Sequence, residues 1–483
     1  MSFSYFKNRL FYLSILALFL LLILFLRIYL NSYLNIPLHF DEAQYWSWSK
    51  DPAWGYFSKP PVLAWIISIS NYFCGNTERC IRITMPILYY MSTIFIFFST
   101  KIVTQNSILS AFSAVIFNLI PGITFSSFVA TTDVPLIFFS SGFTFLFLTI
   151  YKKKDPSYFD FFILSTFFSL GFLSKYAIAY FFISILITIV FFVDIRKKFL
   201  NLKGLLFLLV FFIFISPHLY WNFENGFVTF NHTAQNANIQ SISLNLKEPL
   251  KFVLSQFIVF GLYPLFLIFK KTFLYKQLNK ENKVLLIFFL TPIIIITILS
   301  LFSRANANWA AVGFPFGIIF LANIINDSEE KFKKYYIFFS QFLLSLVIVI
   351  LILLGQNNIK LDPFSKQRHA RDLALHVIQE LQNIENVAFM ADDREDYAIM
   401  LFYIKSYKVK KAKWNGDIKI DDHYELTTNA NNLKGYNLLF LTRTAPTKAM
   451  ISRSSSQKLI KELRFSYSRK VKKYNLYLLS DWN

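Results

Sequence analysis

The chain has 483 residues, 55% of them hydrophobic, and a mean hydropathy of +0.45. A soluble protein of this length does not need so much apolar surface, so the composition indicates a membrane protein. The formal net charge is +21. Its Lys and Arg residues cluster at the ends of apolar runs, as the positive-inside rule requires, which excludes nucleic acid as the partner.

Crossing a bilayer takes about 20 apolar residues, and the sequence contains a series of runs near that length. We predict a mainly α-helical polytopic membrane protein with about 11–13 transmembrane helices, placed at residues 10–30, 82–103, 107–123, 134–151, 158–174, 177–193, 204–217, 251–269, 283–302, 308–325 and 335–354. The shorter run 62–73 predicts an interfacial or re-entrant helix.

The distribution of charge predicts which face each loop occupies. Lys7 and Arg9 precede the first apolar run, which puts the N-terminus inside. Alternation of the spans then places further basic clusters on the same inner face: Lys101, Lys152–Lys154, Arg196–Lys198 and Lys270–Lys271. The opposite, outer face receives the loop 31–81, the segment 124–133 and the long loop 218–250.

The last part of the chain is polar. We predict a membrane domain over residues 1–355, with its first outer loop at 31–81, and a small soluble α/β domain over 356–483. Within that domain the patterns predict helices at Ser365–Ile384, Arg394–Lys405 and Gln457–Leu463, and strands at Val387–Met390, Asn437–Leu441 and Asn475–Leu479.

Three acids occupy helix ends on the predicted outer face. Asp41 and Glu42 open the first loop, and Asp133 opens the fourth span. Ionisable groups beside the membrane are costly and usually functional. The alternative is that these carboxylates cap helices, and Asp133, which precedes Val-Pro, has the sequence of an N-cap.

Four cations lie on the outer face against the positive-inside rule: Lys59, Arg82, Lys175 and Arg304. Two prolines follow Lys59 directly, so a stiff turn presents its side chain. Such a cluster can hold a phosphate or pyrophosphate. The alternative is that each side chain simply extends into the headgroup region.

The first loop is also rich in aromatic residues, including Tyr45, Trp46 and Tyr56. They form either an interfacial belt or a platform on which sugar or lipid packs. Cys74 and Cys80 of the same loop either pair as a local disulfide or remain two thiols.

Two histidines of the long outer loop, His218 and His232, are candidates to join an acid in binding a metal ion. Two isolated histidines are weak evidence for such a site, and for His218 an ordinary buried histidine is the favoured interpretation.

The motifs of the first loop together resemble a known family. His39–Trp48, Trp54–Trp65 and Arg82 are similar to the first outer loop of bacterial GT-C glycosyltransferases, in the group of the protein O-mannosyltransferases and the lipid A aminoarabinose transferase. Weaker matches follow in the same order over about the first 320 residues, at Thr132–Asp133, Leu173–Tyr176, Pro217–Phe227, Phe230–His232 and Ala307–Trp309.

This resemblance implies a GT-C fold and a hexosyl- or pentosyl-transferase that uses a polyprenyl-phosphate sugar. The transfer would invert the anomeric centre at the periplasmic face of the inner membrane. Its partners would be the bilayer, the lipid-linked donor, and lipid A, another glycan or a protein as acceptor. The alternatives are a transporter or flippase for lipid-linked glycans, which would place ions near the midplane, and a glycan polymerase or ligase, which need not carry an acid directly after its first helix.

The resemblance also assigns roles. Asp41 and Asp133 match the family's two acids and are the predicted catalytic residues, and Lys59 matches the lysine that contacts the donor phosphate. We expect Arg82, Lys175 and Arg304 to assist Lys59, and we expect six residues to bind substrate: Glu42, Tyr45, Trp46, Tyr56, Asn308 and Trp309. His232 is similar to a metal-binding histidine, which would make a divalent metal the cofactor. Ser58 stands where the relative supplies the second ligand, an acid, so no cofactor is firmly predicted.

Overall fold

The computed structural model of the chain describes residues 3–236, 244–326, 332–356, 362–417, 419–467 and 470–483. The α-helices up to residue 224 are α1 Phe3–Tyr33, α2 Phe40–Trp48, α3 Val62–Cys74, α4 Glu78–Arg82, α5 Thr84–Thr104, α6 Ser107–Asn118, α7 Pro121–Ser126, α8 Asp133–Lys152, α9 Tyr158–Phe172, α10 Tyr180–Phe191, α11 Val193–Phe199 and α12 Leu202–Glu224. The later helices are α13 Val228–Asn236, α14 Lys247–Val259, α15 Leu262–Phe273, α16 Lys280–Leu299, α17 Phe314–Asn326, α18 Lys333–Gly355, α19 Ala370–Asn383, α20 Arg394–Tyr403, α21 His423–Thr427 and α22 Lys448–Ile451. The strands are β1 Val387–Ala391, β2 Lys411–Lys413, β3 Asn437–Thr442, β4 Ser456–Tyr467 and β5 Lys470–Ser480.

The chain forms two compact units. The membrane unit comprises Met1–Ser32, Lys59–Leu63 and Arg82–Val349, and the sheet unit comprises Tyr33–Ser58, Ala64–Ile81 and Ile350–Asn483. Most of the first loop therefore folds together with the C-terminal segment. The division into domains at residues 355 and 356 stays a prediction, and these compact units group the residues differently.

Among the described residues, seven helices are long and apolar enough to cross a membrane, and a bent pair makes an eighth span. The seven are Tyr12–Tyr33, Glu78–Thr104, Asp133–Lys152, Leu202–Glu224, Lys280–Leu299, Ala307–Asn326 and Lys333–Gly355. The shorter apolar helices are Val62–Cys74, Ser107–Asn118, Tyr158–Phe172 and Tyr176–Phe191. The described residues thus hold seven or eight candidate spans, fewer than the predicted 11–13, because several predicted spans form helices of under 18 residues. The mainly helical, multi-pass membrane fold is confirmed.

One predicted span is sharply bent. We expected a single helix over 251–269, whereas the chain bends by 119° between α14 and α15. Gly261 at the bend has a φ of +122°, a conformation that glycine adopts without steric cost. The side-chain amide of Gln341 donates to the carbonyl oxygen of Phe260 at 2.7 Å, which satisfies a backbone group freed by the bend.

Aromatic rings fill much of the interior of the membrane unit. The ring of Phe288 lies 4.6 Å from that of Phe147 on α8 and 4.4 Å from that of Phe316 on α17. Phe181 of α10 contacts both Phe288 and Phe316 at 5.4 Å. Edge-to-face and offset pairs of this kind stabilise helix contacts where the apolar lipid offers no hydrophobic driving force.

The sheet unit contains a five-stranded sheet in the order β2-β1-β3-β5-β4. The first three strands are parallel, whereas β5 pairs antiparallel with both β3 and β4. Successive side chains of β1 face opposite sides: Met390 joins a core with Trp414 and Trp482, while Phe389 stacks towards Tyr397 of α20. The predicted C-terminal α/β domain is therefore confirmed as a small mixed sheet with helices.

The predicted strands of this domain match β1, β3 and part of β5, and two predicted helices match α19 and α20. The predicted helix Gln457–Leu463 is wrong, because these residues belong to β4. Leu459 and Ile460 are adjacent apolar residues, which a regular half-buried strand does not have. They lie at a register shift between Leu459 and Lys461, where a bulge interrupts the alternation expected of a strand.

Candidate functional site

The acidic motif of the first loop forms the first turn of α2. His39 is the N-cap, and its Nδ1 accepts a hydrogen bond from the backbone N–H of Asp41 at 3.3 Å. The fully buried Glu42 closes a capping box, since its Oε2 accepts from the backbone N–H of His39 at 2.9 Å. The capping box therefore explains the buried position of Glu42. Its contact with substrate remains a prediction.

The carboxylate of Asp41 accepts no capping hydrogen bond, although its Oδ2 lies 3.6 Å from Nδ1 of the N-cap residue His39. Its side chain is 44% exposed, and Oδ1 lies 3.5 Å from Nη1 of Arg394, the first residue of α20. The same Nη1 donates to the side chain of Gln44, and the guanidinium lies 4.9 Å from the ring of Phe40. Arg394 thus braces the first two turns of α2 and puts a positive charge beside an accessible carboxylate.

Aromatic residues anchor α2 within the sheet unit. Tyr45, Trp46 and Tyr56 are all buried. The ring of Trp46 packs edge-on against Phe402 at 5.0 Å, and Tyr56 stacks on Trp48 at 4.6 Å. The Tyr56 hydroxyl donates to the carbonyl oxygen of Trp48 at 3.0 Å, and burial raises its pKa to about 12. These contacts give the rings a structural role, and their binding of substrate stays a prediction.

A second set of polar contacts fixes the rest of the first loop. Glu78 accepts from Arg371 of α19 at 2.7 Å and from the hydroxyl of Tyr403 at 3.1 Å. That hydroxyl in turn accepts from the backbone N–H of Leu38 at 2.8 Å. Cys74 and Cys80 form a disulfide, so the pairing that the sequence left open is present.

In the membrane unit, Asp133 lies at the centre of a polar cluster. It is 7% exposed and begins α8, but the N-cap is Thr132, so the capping interpretation of Asp133 is wrong. Its Oδ1 is 2.7 Å from Nζ of Lys175, and its Oδ2 accepts from Nδ2 of Asn308 at 2.7 Å. Three predicted site residues that are distant in sequence therefore meet at one carboxylate.

Local breaks in secondary structure place these partners. Lys175 has an extended backbone between α9 and a 3-10 helix over Tyr176–Ala179. Asn308 lies in the 3-10 helix Ala307–Gly313, and Gln256 of α14 donates to the carbonyl oxygen of Ala307 at 2.9 Å. Interrupted helices at membrane depth expose backbone and side-chain groups that a continuous helix would cover.

The other predicted cations occupy different environments. Lys59 is half-buried in the membrane unit, and the backbone N–H of Val62, three residues later, donates to the carbonyl oxygen of Leu173 at 3.1 Å. That bond holds the Lys59 segment beside the chain that leads into Lys175. Arg82, at the end of α4, is 1% exposed. Arg304 is exposed in the loop before Asn308.

Trp309 is half-buried and follows Asn308 in the same 3-10 helix. Its backbone N–H donates to the carbonyl oxygen of Asn306 at 3.1 Å, which is part of the turn that presents Asn308.

His218 is a buried structural histidine, as favoured from the sequence. Its Nε2 shares a hydrogen bond of 2.7 Å with the hydroxyl of Tyr176, and the Tyr176 ring stacks on Phe230 of α13. His232 is half-buried on the same helix. Within the described ranges, no group of three or more His, Cys, Asp or Glu could hold a metal ion. With Ser58 in place of an acid, the donor set does not fit a metal.

Sequence reasoning overlooked Arg27, near the predicted outer end of the first span. Arg27 is 5% exposed, and its Nη2 donates to the carbonyl oxygen of Asn118 at 2.6 Å and to Oγ1 of Thr124 at 3.4 Å. Asn118 ends α6, and Pro121 begins α7 after a break in the predicted span 107–123. The sequence did carry a signal for Arg27, because a cation at this end of the span violates the positive-inside rule. In the structure, Arg27 stabilises the end of α6 and the start of α7, in the segment that precedes Asp133.

Comparison with known proteins gives this fold a class. Residues 58–221 match the family described as dolichyl-phosphate-mannose-protein mannosyltransferase. The crystal structure of ArnT from Cupriavidus metallidurans bound to undecaprenyl phosphate is similar with a TM-score of 0.66, at 12% identity, covering 96% of this chain and 97% of that one. The apo structure of the same protein gives a TM-score of 0.65 at 12% identity and covers 98% of both chains. The architecture is therefore that of a GT-C membrane glycosyltransferase.

A curated relative agrees with this class. Lipid A galacturonosyltransferase RgtD from Rhizobium johnstonii is 25% identical over 288 residues, which cover 58% of this chain and 59% of that protein. The alignment thus spans less than two thirds of the relative's length. The comparisons together support assignment of this chain to the ArnT and protein mannosyltransferase group of GT-C glycosyltransferases, and the family predicted from the sequence is confirmed.

Proposed function

We propose that the chain transfers a sugar from a polyprenyl-phosphate donor to lipid A at the outer face of the inner membrane. The observation that carries the proposal is the cluster in which Lys175 and Asn308 contact the buried carboxylate of Asp133, so that a carboxylate, an ammonium and an amide converge where helices are interrupted. The chain also has an ArnT-like fold, and that relative was crystallised with undecaprenyl phosphate. RgtD, the curated relative, is named as a lipid A transferase.

The residues divide the chemistry between them. The acceptor oxygen attacks the anomeric carbon from the face opposite the phosphate, and the bond from that carbon to the phosphate oxygen breaks with its electron pair. Asp41, whose side chain is accessible, takes the acceptor's proton as general base. Lys59 holds the charge that grows on the leaving phosphate. A single displacement of this kind inverts the anomeric centre.

Asp133 has a different part in the proposed reaction. One of its carboxylate oxygens accepts from Lys175 and the other from Asn308, so Asp133 orients these two donors. When the donor phosphate arrives, Lys175 can share its ammonium between Asp133 and the phosphate, because an ammonium has three N–H donors. Asp133 thus acts through the groups that it holds.

Reconstitution of the full chain in vesicles tests the proposal. The wild-type protein is supplied with radiolabelled undecaprenyl-phosphate sugars, one at a time, including galacturonic acid and aminoarabinose. Lipid A, a non-lipid glycan and a peptide are offered as separate acceptors. We expect label in lipid A from one donor. Label in none of the acceptors, with movement of the intact donor across the bilayer, would instead show a transporter.

A further inference from the structure

A basic site of the membrane unit lies at the opposite end of α8 from the cluster around Asp133. A cavity of about 390 Å³ opens where α8 ends and where α11 joins α12. Six lysines line it: Lys152, Lys153, Lys154, Lys197, Lys198 and Lys203. The positive-inside rule accounts for lysines on this face, but it does not require them to converge on one cavity.

Four of these lysines already have partners. The ammonium of Lys198 donates to the carbonyl oxygens of Ile150 at 3.0 Å and of Tyr151 at 2.7 Å, which terminate α8. Lys203 pairs with Asp155 at 2.5 Å. The two remaining pairs join Lys152 to Glu281 and Lys153 to Asp160, both at 2.7 Å. These contacts build the walls of the cavity and use the carboxylates available to them.

Two ammonium groups remain without such a partner. Among the described residues, no acid or carbonyl oxygen contacts the side-chain nitrogen of Lys154 or Lys197, and both side chains are exposed. The one further acid in the lining, Asp194, is paired with Lys280 outside it. The cavity therefore has an excess of positive charge that the protein itself does not neutralise, which is the property of an anion site.

The surface beside the cavity is apolar. Exposed hydrophobic side chains adjoin its lining residues along the chain: Val193 precedes Asp194, and Leu200 and Leu202 lie on either side of Asn201. A soluble anion has no apolar part that would pack against these side chains. A phospholipid would place its acyl chains against these residues and its headgroup phosphate among the lysines.

We propose that this cavity binds the phosphate of an anionic phospholipid headgroup, on the inner side of the membrane and apart from the sugar-transfer site. Lys154 and Lys197 contact the phosphate oxygens, and the four paired lysines shape the cavity. Basic pockets between membrane helices on this side are the usual geometry for such headgroups. The inference does not depend on the proposed enzymatic activity.

Spin-labelled phosphatidylglycerol in phosphatidylcholine bilayers measures the binding directly. The wild-type chain should select the anionic label over labelled phosphatidylcholine. The double variant Lys154→Gln with Lys197→Gln should weaken that selection by about 10- to 30-fold, because each lysine near a phosphate contributes about 1 kcal/mol. Both side chains are exposed, so the variant should retain the melting temperature of the wild type.

The matched control is Lys270→Gln with Lys271→Gln, which removes the same charge from the end of α15, outside the cavity. It should leave the selection unchanged. Equal selection by the cavity variant and the wild type would overturn the proposal, as would an equal loss in the control pair. Displacement of the labelled lipid by excess inorganic phosphate would show a site for soluble phosphate instead.

Discussion

The ion pair between Asp133 and Lys175 should be measurable as a coupling free energy. The two side chains are 10% and 17% exposed, with 2.7 Å between Oδ1 and Nζ. Breaking a fully buried pair by removing one partner costs about 3–5 kcal/mol. Since this pair retains some contact with solvent, we expect Asp133→Asn to lower the free energy of unfolding by about 2–3 kcal/mol. Asparagine keeps the shape and can still accept from Asn308.

A double-mutant cycle isolates the pair. Asp133→Asn, Lys175→Gln and the double variant are melted in one detergent, and about 2 kcal/mol of coupling should appear as a smaller loss in the double variant than the two single losses predict. For a domain of this size, each single variant should melt about 5 °C lower. Additive losses would refute the interpretation that the lysine's charge is held by the aspartate.

The remaining predictions concern the sheet unit. Arg394→Gln removes the charge beside Asp41 and should lower kcat about threefold with little change in KM, whereas Arg453→Gln, which also lies over aromatic rings, should leave kcat unchanged. Burial lowers the pKa of His423 to about 4. Its unfolded form binds a proton below about 6.5, so stability should fall as the pH drops from about 6.5 to 4, and His423→Phe should reduce that fall in acid melts. Cys80→Ser, compared with wild type under oxidising conditions, should lower the free energy of unfolding by about 2 kcal/mol, and melting that matches wild type would contradict this.

The sequence was informative where a single physical rule decides the outcome. Hydropathy located the membrane helices, because a bilayer imposes one length and one polarity on every span. Short continuous apolar runs located β1 and β3 of the sheet, as expected for strands that are buried on both faces. Lys175 stood out because it violates the positive-inside rule, and in the structure it lies against Asp133, a contact that the sequence did not predict.

The roles and partners of individual side chains could not be predicted from the sequence, because they depend on tertiary contacts. Glu42 and Asp133 are both acids in the first turn of a helix, yet one caps its helix and the other reaches sideways to Asn308. Only the fold decides between these roles. Likewise, no local pattern ties Asp41 to Arg394, which follows it by more than 350 residues. The association of the first loop with the C-terminal sheet was missed for the same reason.

The most direct test of the proposed catalysis compares Asp41→Asn with Asp51→Asn in the reconstituted transfer assay. Asp51 is an exposed acid of the same loop, so its substitution changes the charge equally. General-base catalysis contributes about a hundredfold or more to rate. The account predicts that Asp41→Asn loses at least that much kcat, while Asp51→Asn transfers sugar at the wild-type rate. Transfer by Asp41→Asn at the rate of the wild type would contradict it.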